Sequence, residues 1–338
     1  MKTRALFAAS AILALSVGTA SARDQIRIVG SSTVFPFSTA VAEQFGKKTD
    51  FETPLVESTG SGGGLKLFCA GVGAEHPDIA NASRRIKASE FKLCQDNGVT
   101  DVIEVKIGFD GIVLGNAKES PEFDLTQEEV YKALAAEVTQ YGRMDDNKFK
   151  AWNEINPSLP FTPIKVIGPP PTSGTRDAFE ELGVQKGARL AGLSKDEVKE
   201  VEVREDGVYV EAGENDNLII SKLEADPSAL GVFGFSFLDQ NASRIKGAMI
   251  NGVEPTFDNI AEGTYPLSRS MYFYLKKAHI GVIPGLEEYL EEFMSEAATG
   301  EDGYTVDKGL IPLIDDDRTE AVEAAANLSI MTGDEKLK

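Results

Sequence analysis

The sequence predicts an α/β protein made of two large compact units. Its 338 residues exceed the ~100–200 residues that one domain ordinarily takes. Runs typical of β-strands alternate with runs of helical periodicity along the chain, as in α/β folds. Apolar residues make up 42% and charged residues 26% of the chain, which is typical of a globular protein and argues against disordered and fibrous classes.

Residues 1–22 have the features of an export signal. Lys2 and Arg4 form a basic start, Ala5–Val17 is an apolar run too short to span a bilayer, and Ala20-Ser21-Ala22 matches an A-x-A cleavage site. No Cys follows that site to carry a lipid. We therefore expect cleavage after Ala22 and a soluble periplasmic protein.

Three segments, residues 26–45, 53–71 and 164–182, repeat one local arrangement. In each, an extended run leads into a turn rich in Ser, Thr and Gly, and a helical pattern follows; the turns are Gly30–Val34, Ser58–Gly64 and Gly168–Thr175. Hydroxyls and unpaired N–H groups at the positive end of a helix favour anions, and Gly lets the backbone approach closely. The three turns predict an anion site, the alternative being that Ser and Thr only cap helices.

The remaining elements complete the α/β pattern. Thr126–Glu129 is a capping box that opens a helix. Helical periodicity is also present at Leu286–Ala297 and Ala321–Leu328, and strands are predicted at Val102–Ile107, Gly111–Leu114, Ala229–Phe237 and Met271–Leu275. Asp315–Asp317 is interpreted as a solvated turn, because three adjacent acids point different ways and make a poor metal site.

The two cysteines, Cys69 and Cys94, lie 25 positions apart. In an oxidising compartment they most economically form one structural disulfide. Two separate buried thiols are the alternative.

Charge excludes several functions. The chain has 34 Lys+Arg and 54 Asp+Glu, a net charge of −20 that becomes −22 if Lys2 and Arg4 are removed with the signal. Basic residues form no run, so neither nucleic acids nor anionic membranes are expected partners. With two His in the whole chain, a His-rich metal site is excluded.

The chain departs from known phosphate-binding and hydrolase motifs. Gly60–Lys66 lacks the Ser or Thr that follows the Lys of a P-loop. Gly234–Leu238 lacks the closing Gly of a nucleophile elbow. A secreted hydrolase or phosphatase with Ser61 or Ser173 as nucleophile stays an alternative, although the chain offers few bases.

In their order along the chain, these turns resemble the phosphate-binding proteins of bacterial ABC phosphate transporters. The resemblance covers essentially the whole mature chain and is carried by Gly30–Pro36, Gly60–Gly64, Phe68–Gly71, Asn81–Arg84, Gly168-Pro169 with Ser173–Thr175, and Tyr265–Arg269. It implies a type II periplasmic binding protein, whose two α/β lobes are joined by two hinge crossover strands and close on the ligand. It implies lobe 1 at residues 24–106 plus 268–338 and lobe 2 at residues 107–267.

The resemblance also implies a cleft in which protein donors replace the water around one phosphate. The implied ligand-binding residues are Ser32, Thr33, Val34, Ser61, Gly62, Ser83, Arg84, Ser173, Gly174, Thr175 and Arg176. Arg85 is expected at the surface. Where this chain has Arg84, better-known members have an Asp that accepts the proton of the ligand, so Asp110 is the substitute candidate, with a hinge salt link as its alternative role.

The function implied is a high-affinity receptor that binds inorganic phosphate and delivers it to the permease subunits of an ABC transporter. It would act as a monomer, without catalysis, metal or cofactor. Because the acceptor Asp of the family is missing, a receptor for sulfate, molybdate or arsenate is the alternative.

Overall fold

The structure is a computed structural model that describes residues 23–140, 143–171, 173–213, 216–335 and 337; the predicted export signal lies outside these residues. The strands are β1 Arg27–Gly30, β2 Leu55–Ser58, β3 Ile79–Ala82, β4 Val102–Ala117, β5 Asp124–Leu125, β6 Glu137–Gln140, β7 Arg143–Asp146, β8 Val166–Gly168, β9 Tyr209–Glu211, β10 Leu230–Gly234, β11 Ile245–Gly247, β12 Met249–Ile250 and β13 Ser268–Lys276.

The helices confirm the predicted α/β class. They are α1 Phe35–Lys48, α2 Ser61–Phe68, α3 Ala88–Asp96, α4 Gln127–Leu134, α5 Trp152–Ile155, α6 Gly174–Phe179, α7 Lys186–Leu190, α8 Lys195–Lys199, α9 Asp216–Ala225, α10 Phe235–Gln240, α11 Phe257–Ala261, α12 Leu286–Met294, α13 Glu296–Thr299 and α14 Asp315–Ala326. A π-helical segment, Glu180–Gln185, joins α6 to α7. Among the described residues, no helix is long and apolar enough to cross a membrane.

One mixed sheet organises the described part of the chain. Its order is β2-β1-β3-β13-β4-β10-β8-β9, and β11 also pairs with β4. Strand β4 is 16 residues long and changes its partner along its length. Up to Gly111 it pairs with β13, and from Ile112 onward it pairs with β10. Strand β4 therefore carries the chain from one half of the sheet to the other.

The middle of β4 is irregular. The register between β13 and β4 shifts between Met271 and Tyr272, opposite Ile107. The next residue, Gly108, has a φ of +151°, and a Cβ there would lie 2.5 Å from the carbonyl oxygen of Ile311. Only glycine fits this position, and a bulge of this kind increases the local twist of a strand.

The predicted disulfide between Cys69 and Cys94 is present. It joins the end of α2 to α3 inside a small apolar cluster that includes Leu65, Phe68 and Tyr274. Closing a loop of this length contributes roughly 3 kcal/mol of stability. The cross-link thus ties the end of α2 to α3.

The predicted element boundaries are partly confirmed. Thr126 caps α4 as predicted, with its Oγ1 accepting from the N–H of Glu129 at 3.1 Å. The strand predicted up to Phe237 ends at Gly234, because α10 begins at the next residue. The strands predicted at 102–107 and 111–114 form one continuous strand. The turn predicted at Asp315–Asp317 is wrong: these residues begin α14. The helix dipole favours the carboxylates of Asp316 and Asp317 in its first turn.

Candidate functional site

The turn after β1 is organised by a serine that the sequence analysis did not select. The Oγ of Ser31 accepts from the N–H of Thr33 at 3.2 Å and from the N–H of Val34 at 3.4 Å. The side chain of Val34 is fully buried in the core. The backbone donor predicted at Val34 is therefore already paired within the turn, whereas Ser32 and Thr33 border the cavities described below.

The turns after β2 and β3 lie next to each other. Gly60, with a φ of +72°, leads into α2, so the N-terminus of that helix begins at Ser61. The Oγ of Ser61 lies 3.1 Å from the Oγ of Ser83 and accepts from the N–H of Ser83, also at 3.1 Å. These hydroxyls and the first N–H groups of α2 share one side of a cavity.

Arg84 follows Ser83 and forms a two-pronged ion pair with Glu90, at 2.9 and 2.8 Å. Burial disfavours the charged form of both groups, but the hydrogen bonds and charge attraction between them outweigh the effect of burial. The pKa of Glu90 is therefore lowered and that of Arg84 is raised. Arg85 instead pairs with Glu104 and lies outside the cavity lining. Arg84 and Arg85 therefore point to different surroundings, as the sequence predicts.

The cavity formed here, which we call the smaller cavity, has a volume of about 220 Å³. Hydroxyl side chains, the N-terminus of α2, two guanidinium groups and two carboxylates surround it. The lining residues are Ser31, Ser32, Thr33, Gly60, Ser61, Gly62, Ser83, Arg84, Asp177, Glu181 and Arg269. Positive charge, hydroxyls and a helix N-terminus together suit a small oxyanion.

Arg269 is the principal residue that sequence reasoning missed. It lies on β13 with its side chain only 8% exposed, and its Nη2 donates to the Oγ1 of Thr33 at 2.6 Å. Its Nη1 donates to Glu181 at 2.8 Å. The sequence signal that could have identified it is a positive charge at the start of the largely apolar strand Ser268–Lys276. A charged side chain that is buried in such a strand needs a partner.

Asp110 faces Arg269 rather than the smaller cavity. Its Oδ2 lies 3.5 Å from the Nε of Arg269. Burial raises the pKa of the Asp110 carboxyl, and the neighbouring guanidinium offsets part of that rise. Asp110 lines a second, larger cavity of about 710 Å³. Its position corresponds to the salt link that was the alternative to a proton acceptor.

The third turn borders the larger cavity, which Ser173, Gly174 and Thr175 all line. The Oγ of Ser173 accepts from the N–H of Thr175 at 3.2 Å, as a helix cap. Gly174 packs on the first turn: a Cβ there would lie 2.8 Å from backbone atoms of Ser32 and Thr33. Ser32 and Thr33 line both cavities. The first turn therefore lies between the third turn, which borders the larger cavity, and Ser61 and Ser83, which border the smaller one.

The expected ligand role of Arg176 does not fit its placement. Its guanidinium pairs with Glu180, donates to the carbonyl of Pro169 at 3.3 Å and lies 4.0 Å from the ring centre of Tyr209. It lines neither cavity. The reason is its helical position, because it faces the strands on which α6 packs, whereas Asp177 faces the smaller cavity.

Within the described residues, no group of three or more His, Cys, Asp or Glu side chains is placed to hold a metal ion. The fold and the donor-lined cavity define a solute-binding protein of the type II periplasmic class. The chain belongs to the PBP superfamily, whose domain model matches residues 16–297.

Curated relatives and solved structures agree with this assignment. The chain is 34% identical over 262 residues to "Protein SphX" of Synechococcus elongatus, covering 74% of this chain and 69% of the relative. It is 27% identical to the "Phosphate-binding protein PstS" of Staphylococcus saprophyticus, with 86% of this chain and 81% of the relative covered. A crystal structure described as a possible phosphate binding protein from Planctomyces limnophilus superposes with a TM-score of 0.74 at 29% identity, covering 90% of this chain and 98% of the other.

Proposed function

We propose that this chain is a periplasmic receptor that binds inorganic phosphate and delivers it to the permease of an ABC transporter. The observation that carries the proposal is the smaller cavity of about 220 Å³, which is lined by four serines, one threonine, the N-terminus of α2 and two guanidinium groups. Such a set of fixed donors suits a tetrahedral anion that has lost its water. The relatives named as phosphate-binding support phosphate as that anion.

The proposed ligand contacts come from the groups that face the smaller cavity: Ser32, Thr33, Ser61, Gly62, Ser83, Arg84 and Arg269. The N–H of Val34 and the guanidinium of Arg176 are left out, because neither residue lines the smaller cavity. The turn Ser173–Thr175 stays in the proposal as the part of the cleft that closes over the first turn. Asp110 is proposed to orient Arg269 rather than to accept a proton from the ligand.

We further propose that the cleft opens between lobe 1, residues 24–106 plus 268–338, and lobe 2, residues 107–267. The partner change of β4 after Gly111 and the irregularity at Gly108 support a hinge in that strand. Opening there would separate Gly174 from Ser32 and Thr33 and admit the ligand. Removal of the export signal after Ala22 and a monomeric state belong to the same proposal.

A receptor role is favoured over a hydrolase by the surroundings of Ser61. Its hydroxyl contacts Ser83, which is no base. Neither of the two His of the chain lines a cavity described here. His279 is buried, with Nδ1 2.5 Å from Asp78 and Nε2 2.7 Å from the carbonyl oxygen of Val72.

The test is isothermal titration of ligand-stripped protein with phosphate, sulfate, molybdate and arsenate. We expect saturable binding of one phosphate and weaker binding of the other anions. Arg84→Gln should weaken phosphate binding by about tenfold or more, since it removes a charged donor. The neighbouring control Arg85→Gln should change binding by less than about twofold. Equal or tighter binding of sulfate would make another oxyanion the ligand, and no binding of any oxyanion would refute the proposal.

A further inference from the structure

Two carboxylates occupy donors of the smaller cavity. Asp177 on α6 and Glu181 on the π-helical segment lie four residues apart, and both line the cavity. The Oδ2 of Asp177 accepts from the Oγ of Ser32 at 2.7 Å. The Oε2 of Glu181 accepts from the Nη1 of Arg269 at 2.8 Å. The carboxylates of Asp177 and Glu181 thus accept hydrogen bonds from Ser32 and Arg269, which are proposed to donate to the ligand.

Both contacts join distant parts of the chain. Ser32 belongs to the turn after β1 and Arg269 to β13, whereas Asp177 and Glu181 belong to the helix that follows β8. Beside them, the Oγ1 of Thr33 donates to the carbonyl of Gly174 at 3.3 Å. The carboxylates therefore help to hold the two proposed lobes together beside the smaller cavity.

The charges around the cavity are already balanced by the protein. Arg84 is paired with Glu90, and Arg269 lies between Glu181 and Asp110. A bound anion therefore competes with these carboxylates for hydrogen bonds from the two guanidinium groups. Glu181 is 54% exposed, so its ion pair with Arg269 is partly screened and can be exchanged at modest cost.

We propose that Asp177 and Glu181 are affinity- and charge-selecting residues that compete with the ligand for the donors of the smaller cavity. This inference rests on the proposed function. Their contacts stabilise a closed arrangement that binds no ligand at those donors, and such an arrangement lowers the apparent affinity for a ligand. A doubly charged oxyanion offers several charged acceptor oxygens and replaces both carboxylates. A monovalent anion such as nitrate carries too little charge to do so.

The experiment compares Asp177→Asn, Glu181→Gln and the double variant with the natural protein and with Asp196→Asn. Asp196 is an exposed carboxylate on α8 paired with Lys199, so this control removes one negative charge away from the cavity. Each single variant should bind phosphate about two- to fivefold more tightly, the range expected from partly exposed charge pairs, and the double variant more tightly still. Nitrate should compete with phosphate in the double variant and not in the natural protein. The control should change none of these values.

A second measurement does not depend on phosphate. Small-angle X-ray scattering of ligand-stripped protein should give a larger radius of gyration for the double variant than for the natural protein and Asp196→Asn. Weaker phosphate binding by Asp177→Asn would overturn the inference, because it would make that carboxylate a ligand contact. An unchanged radius of gyration would also overturn it. If the natural protein binds no oxyanion, the proposed function fails, and the scattering still decides whether the two carboxylates hold the lobes closed.

Discussion

The turn at Gly60–Gly62 and the turn at Ser173–Thr175 both join a strand to a helix through hydroxyls and glycine, yet they face different cavities. Around Ser61, the neighbouring strands bring further donors, namely Ser83 and Arg84. Around Ser173, the hydroxyl caps its own helix, and the following residues bring carboxylates to the smaller cavity. Of these two helix N-termini, only that of α2 has neighbouring donors that add to its attraction for an anion.

The largest expected effect comes from Arg269, which supplies buried positive charge to the cavity near Ser61. Arg269→Gln should weaken phosphate binding by about 100-fold, because truncating one partner of a buried charged contact ordinarily costs ~2–5 kcal/mol. Titration calorimetry measures the change. The matched control is Arg244→Gln, whose ion pair with Glu224 is exposed. If both variants bind alike, Arg269 is no ligand contact.

Ser61 and Ser173 allow a direct test of the difference between the two turns. Ser61→Ala should weaken phosphate binding by about tenfold, since a donor to a charged group is lost. Ser173→Ala should weaken it less and should instead lower the thermal midpoint, since its Oγ caps α6. The opposite ranking of the two affinities would move the ligand into the larger cavity, next to Ser173.

Much of the fold follows from local sequence signals. The strand-turn-helix segments at Gly30 and Gly60 have the predicted order, and the capping box at Thr126 is confirmed. The continuous strand β4 was not predicted, because Gly108–Asp110 separates the predicted strands Val102–Ile107 and Gly111–Leu114. The change of partner along β4 depends on long-range pairing, which local patterns do not encode.

The candidate site was predictable only where its residues follow a turn. Ser61, Ser83 and Arg84 lie next to turns, and they line one cavity. Arg269 lies 236 residues from its partner Thr33, so only the fold brings them together. Arg176 was predicted as a cleft residue from the turn before it, whereas its guanidinium lies over the ring of Tyr209. The direction of this side chain depends on how α6 packs, which the turn does not encode.

Replacement of Arg176 should lower the stability of the protein and leave its phosphate affinity nearly unchanged. Arg176→Gln should lower the free energy of unfolding by about 1–2 kcal/mol, because it removes the hydrogen bond to the carbonyl of Pro169 and the cation–π contact with Tyr209. Urea unfolding measures this loss. Phosphate affinity should stay within about twofold, because the guanidinium of Arg176 does not face the cavity. The exposed Arg189 on the same helical run gives the control, Arg189→Gln. A large loss of affinity with little loss of stability would return Arg176 to the ligand set.

The smallest effect contrasts the cavity with the surface around it. Two arginines line the smaller cavity, while the chain without residues 1–22 carries a net charge of −22. An acidic exterior slows the approach of a divalent anion, and salt screens that repulsion over about 10 Å at 0.1 M. The association rate of phosphate should therefore rise by about twofold between low and physiological ionic strength, as measured by stopped-flow mixing with labelled protein and sodium chloride. A rate that falls with salt would mean that the approach to the cavity is locally basic, so that Arg84 and Arg269 attract the ligand before it reaches Asp177 and Glu181.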